Sequence, residues 1–202
     1  MADALLLAAF PPELAGLDAA PLPGWRVALT GVGALAAAVA TARLLAEHRP
    51  ARVLFVGTCG AYDDRLPIGA LLSAAEVIAV TQDELCGRGY RPAPERSRFA
   101  ATLPLPLPGR VVAVTPVITT DPAGAARLAT VAAVEHLELS GVFAACHAAG
   151  VPVAGALGVA NRVGPGAHAE WEAHHAAVSR ALVAALAPFL AAPESPAGAG
   201  RG

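Results

Sequence analysis

Two glutamates stand beside apolar segments of the chain. Glu13 follows the apolar run 4–9 and two prolines, and Glu138 is the last charged residue before an uncharged stretch. Burial raises the pKa of a carboxyl group, so Glu13 could act as a general acid or base; the alternative is a solvated glutamate in a first helical turn. Glu138 could accept hydrogen bonds from two sugar hydroxyls, or face the positive end of a helix dipole.

A glycine-flanked hydroxyl follows the apolar segment 52–56. The sequence Gly57-Thr58-Cys59-Gly60 favours a turn whose backbone N–H groups and threonine hydroxyl face a small anion or a water molecule. Cys59 could instead be a nucleophile. The sequence assigns it no partner, and cysteine is among the most buried residue types, so a structural role is favoured.

An amide and an indole follow the apolar segment 151–159. Asn161 offers the donor and the acceptor that the lactam edge of a heterocycle requires, although asparagine is also a common turn residue. Trp171 could be a core anchor or a stacking wall. The histidines and glutamates of residues 168–175 lack the HExxH spacing, which favours a solvated polar face over a metal site.

The composition excludes several classes of function. The 202 residues carry a net charge of −2, and all 14 basic residues are arginine. The lack of lysine excludes Schiff-base chemistry and a P-loop, and the lack of a basic field argues against a nucleic-acid partner. Thr30-Gly31-Val32-Gly33 lacks the third glycine and the later acid of a dinucleotide fingerprint. We therefore expect no cofactor.

The sequence also predicts a location. Three cysteines without a CxxC pair predict reduced thiols and a cytoplasmic protein. An acid at position 3 and the lack of a basic n-region argue against a signal peptide. The uncharged stretch 139–161 contains Gly150 and Pro152, which divide it into a buried helix and a buried strand, so no membrane span is expected.

Apolar and alanine-rich segments alternate along the chain. The predicted strands are 4–9, 26–30, 52–56, 70–73, 76–81, 111–115, 131–134 and 151–159. The predicted helices are 35–48, 122–130, 139–149 and 168–190. Residues 86–109 are rich in proline and arginine and predict a long loop.

These elements predict one α/β domain over residues 1–191, followed by a disordered tail at 192–202. Strands that are apolar throughout are buried on both faces, which requires helices on both sides. We therefore expect three layers, α/β/α, around a central mixed and twisted sheet. Ligands of such sheets bind at the carboxyl ends of strands, where the residues singled out above stand.

Taken in order, the segments from residue 4 to about 190 resemble the nucleoside phosphorylase/nucleosidase superfamily. The run Ala-Ala-Phe-Pro-Pro-Glu-Leu at 8–14 looks like its first-strand segment, which implies that Glu13 is the catalytic acid or base. Residues 56–61 are similar to its Gly-Ser/Thr-x-Gly loop, which implies that Thr58, Cys59 and Gly60 hold the water or phosphate. Leu137 and Glu138 match its ribose-binding segment, usually Met-Glu.

The segment Asn-Arg-Val-Gly-Pro at 161–165, with Trp171 six residues on, resembles the futalosine hydrolases of that superfamily. Those enzymes release hypoxanthine from futalosine in a menaquinone pathway.

Three positions depart from the superfamily pattern. His136 replaces a glutamate, Thr119 or its neighbour occupies the region of the base-stacking phenylalanine, and Leu157 stands where many members have arginine.

The resemblance implies cleavage of the bond between a ribosyl group and a purine. Glu13 would activate water, Glu138 would hold the sugar, and Asn161 would donate a hydrogen bond to N7 or O6 of the base. An aspartic acid there can protonate adenine, whereas asparagine gives no proton, so a 6-oxopurine is expected.

The resemblance leaves three alternatives open, one of which is a nucleosidase of the methylthioadenosine/adenosylhomocysteine type. Phosphorolysis requires cations around phosphate, and Phe55 stands where similar purine phosphorylases have arginine; this favours hydrolysis, although loop arginines such as Arg65, Arg88 and Arg91 could serve instead. A non-catalytic nucleoside-binding protein is the third alternative, but binding alone does not require Glu13. The superfamily also implies a homo-oligomer with a small-molecule nucleoside substrate.

Overall fold

The computed structural model describes residues 4–17, 22–93 and 95–191; the predicted tail at 192–202 lies outside these residues. The strands are β1 Ala4–Ala8, β2 Trp25–Leu29, β3 Arg52–Ala61, β4 Leu71–Ala79, β5 Arg98–Ala100, β6 Gly109–Val114, β7 Val134–His136 and β8 Val153–Arg162. The helices are α1 Ala34–His48, α2 Gln82–Leu85, α3 Pro122–Leu128, α4 Leu139–Ala149 and α5 Ala167–Ala191. A short 3₁₀ helix, Pro11–Leu14, follows β1.

The eight strands form one mixed sheet, as the sequence predicts. The order is β2-β1-β3-β7-β6-β4-β5, and β8 pairs in parallel with β3 and antiparallel with β4. Because β8 joins two strands that are separated along this path, the sheet closes on itself. The closure brings the end of β3, the end of β8 and all of β7 to one place, and residues of these strands line the candidate site.

The core lies on both faces of the sheet. Leu5 and Leu7 pack with α1 and α4 on one face, and Leu6 packs with Leu182 and Leu186 of α5 on the other. This alternation explains why β1 is apolar throughout, and it confirms the predicted helical cover on both sides. The helix α5 is long and apolar enough to cross a membrane by length and composition, but its buried leucines pack on the sheet.

Helix α4 approaches α1 closely at one glycine. A Cβ on Gly141 would lie 2.0 Å from the backbone oxygen of Ala34 and 2.8 Å from the nitrogen of Ala38. No side chain fits there, so only glycine permits this spacing. The close packing places the start of α4, with Glu138 just before it, against the loop that precedes α1.

Four local predictions were wrong. Residues 57–60 are not a turn but continue β3, because they pair with β8, with a register shift between Cys59 and Gly60. Strands 70–73 and 76–81 are one strand, β4, with a bulge after Ala74. The segment 86–109 contains β5, which pairs with β4. The strand predicted at 131–134 lies later in the chain, as β7 at Val134–His136, because the residues before it form turns at the end of α3.

Candidate active site

The 3₁₀ helix after β1 turns Glu13 into the protein. Its carboxylate accepts hydrogen bonds from the backbone N–H of Ala9 at 3.0 Å and of Thr58 at 2.9 Å. The hydroxyl of Thr58 lies 3.2 Å from the same oxygen as the Thr58 N–H and donates to it. The side chain is only 4% exposed, so the alternative of a solvated first-turn glutamate is wrong.

Burial gives Glu13 a titration in the neutral range. Desolvation raises the pKa from 4.5 to about 7, against hydrogen bonds from Thr58 and Ala9 that lower it. The negative charge of Glu138 also raises this pKa. A carboxyl group with a pKa near the working pH can serve both as an acceptor and as a donor of protons.

The indole of Trp171 reaches from α5 to the residue that holds Glu13. Its Nε1–H donates to the hydroxyl oxygen of Thr58 at 3.1 Å. The hydroxyl proton of Thr58 is therefore directed to Glu13. The two hydrogen bonds run in one direction, from Trp171 through Thr58 to Glu13. The ring also packs against Phe10, with 5.8 Å between ring centroids.

Glu138 stands just before α4 but does not cap it. One carboxylate oxygen instead accepts from the backbone N–H of Gly33 at 2.8 Å, in the loop before α1. The other oxygen lies 3.2 Å from Nδ1 of His136. That nitrogen accepts from the backbone N–H groups of Glu138 and Leu139, and burial lowers the pKa of the imidazole. His136 is therefore neutral, and its contact with Glu138 is not an ion pair.

A single cavity of about 270 Å³ brings these groups together. Its walls include Glu13, Thr58, Cys59, Gly60, Leu137, Glu138, Asn161 and Trp171 from among the sequence-predicted site residues. Its other walls are Phe10, Val32, Ile118, Glu135, His136, Ala167 and His168. The volume and the mixture of apolar walls with a few convergent polar groups suit a small organic ligand.

Thr119 does not line this cavity, contrary to the sequence prediction. It is 2% exposed, and its backbone N–H donates to a carboxylate oxygen of Glu135 at 2.9 Å. The preceding residue, Ile118, faces the cavity in its place. Nothing in the local sequence predicts this one-residue shift, because the segment is anchored by Glu135 of β7.

Asn161 lies at the end of β8, within the strand rather than in a loop. Its Nδ2 donates one hydrogen bond to the backbone oxygen of Arg162 at 2.9 Å, which leaves a second N–H and the amide oxygen for a ligand. The side chain rests on Gly60 of the neighbouring strand. The pairing of β3 with β8 therefore sets its position.

Cys59 is buried in the hydrophobic core beside the cavity, and desolvation raises the pKa of its thiol. Such a thiol carries almost no thiolate, so the structure agrees with a structural role and not with a nucleophile. Within the described residues, no cluster of three or more metal-ligating side chains occurs.

The charged lining of the cavity is acidic. Three of the described lining residues are glutamates and none is arginine. The loop arginines considered for phosphate binding are paired elsewhere: Arg65 with Asp63, Arg88 with Asp83, and Arg91 with Glu84. The Thr58 N–H, which was expected to face an anion, is already used by Glu13. The described lining of the cavity thus supplies no arginine to bind phosphate.

Comparison with known proteins identifies the family. The sequence matches the phosphorylase superfamily over residues 25–192. The chain belongs to this superfamily. This confirms the resemblance to the superfamily that was drawn from the sequence. A comparison with curated protein sequences found no match.

Solved structures share the fold at low identity. The 5′-methylthioadenosine/S-adenosylhomocysteine nucleosidase of Helicobacter pylori, bound to butyl-thio-DADMe-Immucillin-A, has a TM-score of 0.79 at 16% identity over 93% of this chain and 97% of that one. Futalosine hydrolase from the same organism has a TM-score of 0.79 at 16% identity, over 93% of this chain and 96% of that one. The 5′-methylthioadenosine/S-adenosylhomocysteine nucleosidase of Colwellia psychrerythraea, in complex with adenine, has a TM-score of 0.76 at 17% identity, over 93% of each chain. All are enzymes by name, which agrees with the expectation of an enzyme.

Proposed function

We propose that this protein hydrolyses the N-glycosidic bond of a purine nucleoside, and that its substrate is a 6-oxopurine nucleoside such as futalosine. The carrying observation is that Glu13, buried with a pKa of about 7, and Glu138 face one cavity of nucleoside-binding size. The names of the solved relatives, nucleosidase and futalosine hydrolase, support the same class of reaction.

The two glutamates have different roles: Glu138 binds the ribose and Glu13 activates the water. Cleavage builds positive charge on the ribosyl ring and negative charge on the departing purine. Glu138, held by the N–H of Gly33, accepts hydrogen bonds from the ribose hydroxyls, and these strengthen as positive charge grows. Glu13 takes a proton from water as the water oxygen bonds to C1′, and the electrons of the C1′–N bond leave with the base.

Asn161 carries the specificity for the base. Its free amide N–H donates to N7 or O6 of a 6-oxopurine, which spreads the negative charge of the leaving group. An amide has no proton to transfer to N7 of adenine. This supports a hypoxanthine-type base, and with it a role in releasing hypoxanthine from futalosine for menaquinone biosynthesis in the cytoplasm.

Water is favoured over phosphate as the second substrate. A phosphate dianion in this cavity would meet three glutamates, and the described lining residues supply no arginine to balance its charge. A non-catalytic binding protein would not need Glu13, whose burial destabilises the charged form that binding alone does not use.

Exposed apolar side chains, two of which line the cavity, support assembly of identical chains. Val32, Leu35, Val39, Val117 and Ile118 are more than half exposed, and two of them, Val32 and Ile118, also line the cavity. Exposed apolar side chains are typical of interaction surfaces. A second copy that covers Val32 and Ile118 would also cover part of the cavity lining.

Chromatography of the released base tests the proposal. Purified protein is incubated with futalosine, inosine and methylthioadenosine in parallel, in phosphate-free buffer, with the Glu13→Gln variant as the control. We expect hypoxanthine from the first two nucleosides and little adenine from the third. Release of adenine alone would contradict the base assignment, and strict dependence on added phosphate would contradict hydrolysis.

A further inference from the structure

His136 is held in one tautomer by the start of α4. Its Nδ1 accepts hydrogen bonds from the backbone N–H of Glu138 at 3.1 Å and of Leu139 at 3.3 Å. The Oε2 atom of Glu138 also lies 3.2 Å from Nδ1, but two backbone N–H groups already point at this nitrogen. On that geometry we assign the proton of the neutral ring to Nε2. Phe55 packs edge-on against the ring, with 5.3 Å between centroids, and fixes its plane.

The Nε2–H of this ring has no acceptor among the described residues. The imidazole is 2% exposed, and Nε2 is a buried atom without a hydrogen-bond partner. A buried donor without an acceptor costs free energy, so such groups in folded proteins usually serve a ligand or a bound water. Two backbone N–H groups, those of Glu138 and Leu139, hold the ring that carries this donor in place.

The unpaired nitrogen of His136 and a carboxylate oxygen of Glu13 both lie against Gly57. A Cβ built on Gly57 would lie 3.2 Å from Nε2 of His136 and 3.0 Å from Oε1 of Glu13. Any side chain at position 57 would therefore collide with both groups or push them apart. Glycine here lets a hydrogen-bond donor and a proton acceptor converge beside the cavity that both residues line.

We propose that His136 positions the attacking water, by donating its Nε2–H to the water oxygen while Glu13 accepts a water proton. This rests on the proposed hydrolysis. In the step, one O–H bond of water breaks and its proton passes to Glu13, and the oxygen bonds to C1′. The electron pair of the C1′–N bond leaves on the purine, which takes its proton from solvent. His136 gives up no proton and stays neutral.

Two variants separate positioning from a structural role. In His136→Asn the side-chain oxygen can still accept from the N–H groups of Glu138 and Leu139, but the Nε2–H is lost. In His136→Gln the terminal amide places an N–H donor near the position of Nε2. Because a hydrogen bond to the nucleophile acts in the reacting complex, its loss is expected in kcat more than in KM.

Steady-state hydrolysis of futalosine or inosine by folded wild type and both variants is the test. We expect kcat to fall about tenfold or more in His136→Asn with KM within about twofold, and to recover in part in His136→Gln. Wild-type kcat in His136→Asn, a loss confined to KM, or equal loss in both variants would overturn the proposal.

Nitrogen–proton correlation NMR of the wild-type imidazole gives a readout that needs neither turnover nor a stable variant. The proton is expected on Nε2 at neutral pH, and a proton on Nδ1 would overturn the proposal. If the wild type releases base from no nucleoside, the proposed function fails, and the positioning of attacking water fails with it. If it turns over but His136→Asn matches it, only this inference fails.

Discussion

Replacing Glu13 by glutamine is expected to change activity and the pH dependence of stability together. The folded protein holds this carboxyl with a pKa of about 7 against 4.5 for the ordinary group. A raised pKa means that the folded state binds the proton more tightly than the unfolded state. Its contribution to stability is therefore present below pH 4.5 and is lost as the pH rises through 7.

The size of this contribution follows from the shift. A change from 4.5 to about 7 corresponds to roughly 3 kcal/mol between the protonated and the ionised forms. Glutamine does not titrate, but its NH₂ faces the N–H of either Ala9 or Thr58, at a cost of about 1–3 kcal/mol. The absolute stabilities of the two proteins can thus be similar, whereas their pH dependences differ.

Urea unfolding of wild type and Glu13→Gln at pH 5, 6, 7 and 8 measures the difference. We expect the unfolding free energy of the wild type to fall by about 2.5 kcal/mol relative to the variant between pH 5 and pH 8. In parallel, kcat/KM of the wild type should rise about tenfold per pH unit below 7 and level off above it, and the variant should lose about 10²–10⁴-fold. A pH-independent difference in stability, or an acid limb below pH 5, would refute the burial argument.

Four further substitutions test the rest of the site. Glu138→Gln keeps an acceptor for Gly33 but weakens the hold on ribose, so kcat/KM for the nucleoside should fall about 100-fold; an unchanged value would contradict the sugar assignment. Thr58→Val removes a hydrogen bond that lowers the pKa of Glu13, so the acid limb of the pH profile should move to higher pH, and Thr58→Ser should restore it. Asn161→Asp should shift preference from inosine towards methylthioadenosine in parallel base-release assays, and an unchanged ratio would remove Asn161 from base recognition. Leu35→Glu should yield monomers by light scattering if the exposed apolar side chains join two copies, and wild type that is already monomeric would contradict assembly.

The layers of the fold could be predicted from the sequence because the central strands β1, β3 and β8 are buried on both faces. Leu5, Leu6 and Leu7 show the reason: consecutive leucines alternate between two cores, so neither face of β1 tolerates a polar residue. The position of Glu13 could be anticipated on the same ground, since it directly follows a buried strand whose carboxyl end faces the site.

The extension of β3 could not be predicted from local preferences. Glycine is depleted in strands, so Gly57 and Gly60 favoured a turn. The long parallel pairing with β8 overrides that preference, and pairing partners about 100 residues away leave no local trace in the sequence. The same holds for Trp171 and Thr58, whose hydrogen bond joins residues 113 positions apart.

His136 illustrates what only the structure reveals. In the sequence it was a departure from the family pattern, without a role. Two backbone N–H groups hold its Nδ1 as an acceptor, and Gly57 leaves space beside its Nε2. Tautomer and orientation depend on these contacts and not on the residue type.

Turnover in phosphate-free buffer, compared between wild type and Glu13→Gln, tests most directly whether the converging carboxylates drive hydrolysis. With futalosine or inosine as substrate, the wild type should release hypoxanthine and free sugar over many turnovers, and the variant should be slower by at least about 100-fold. Equal rates for the two proteins, or a wild type that stays inactive until phosphate is added, would contradict the account.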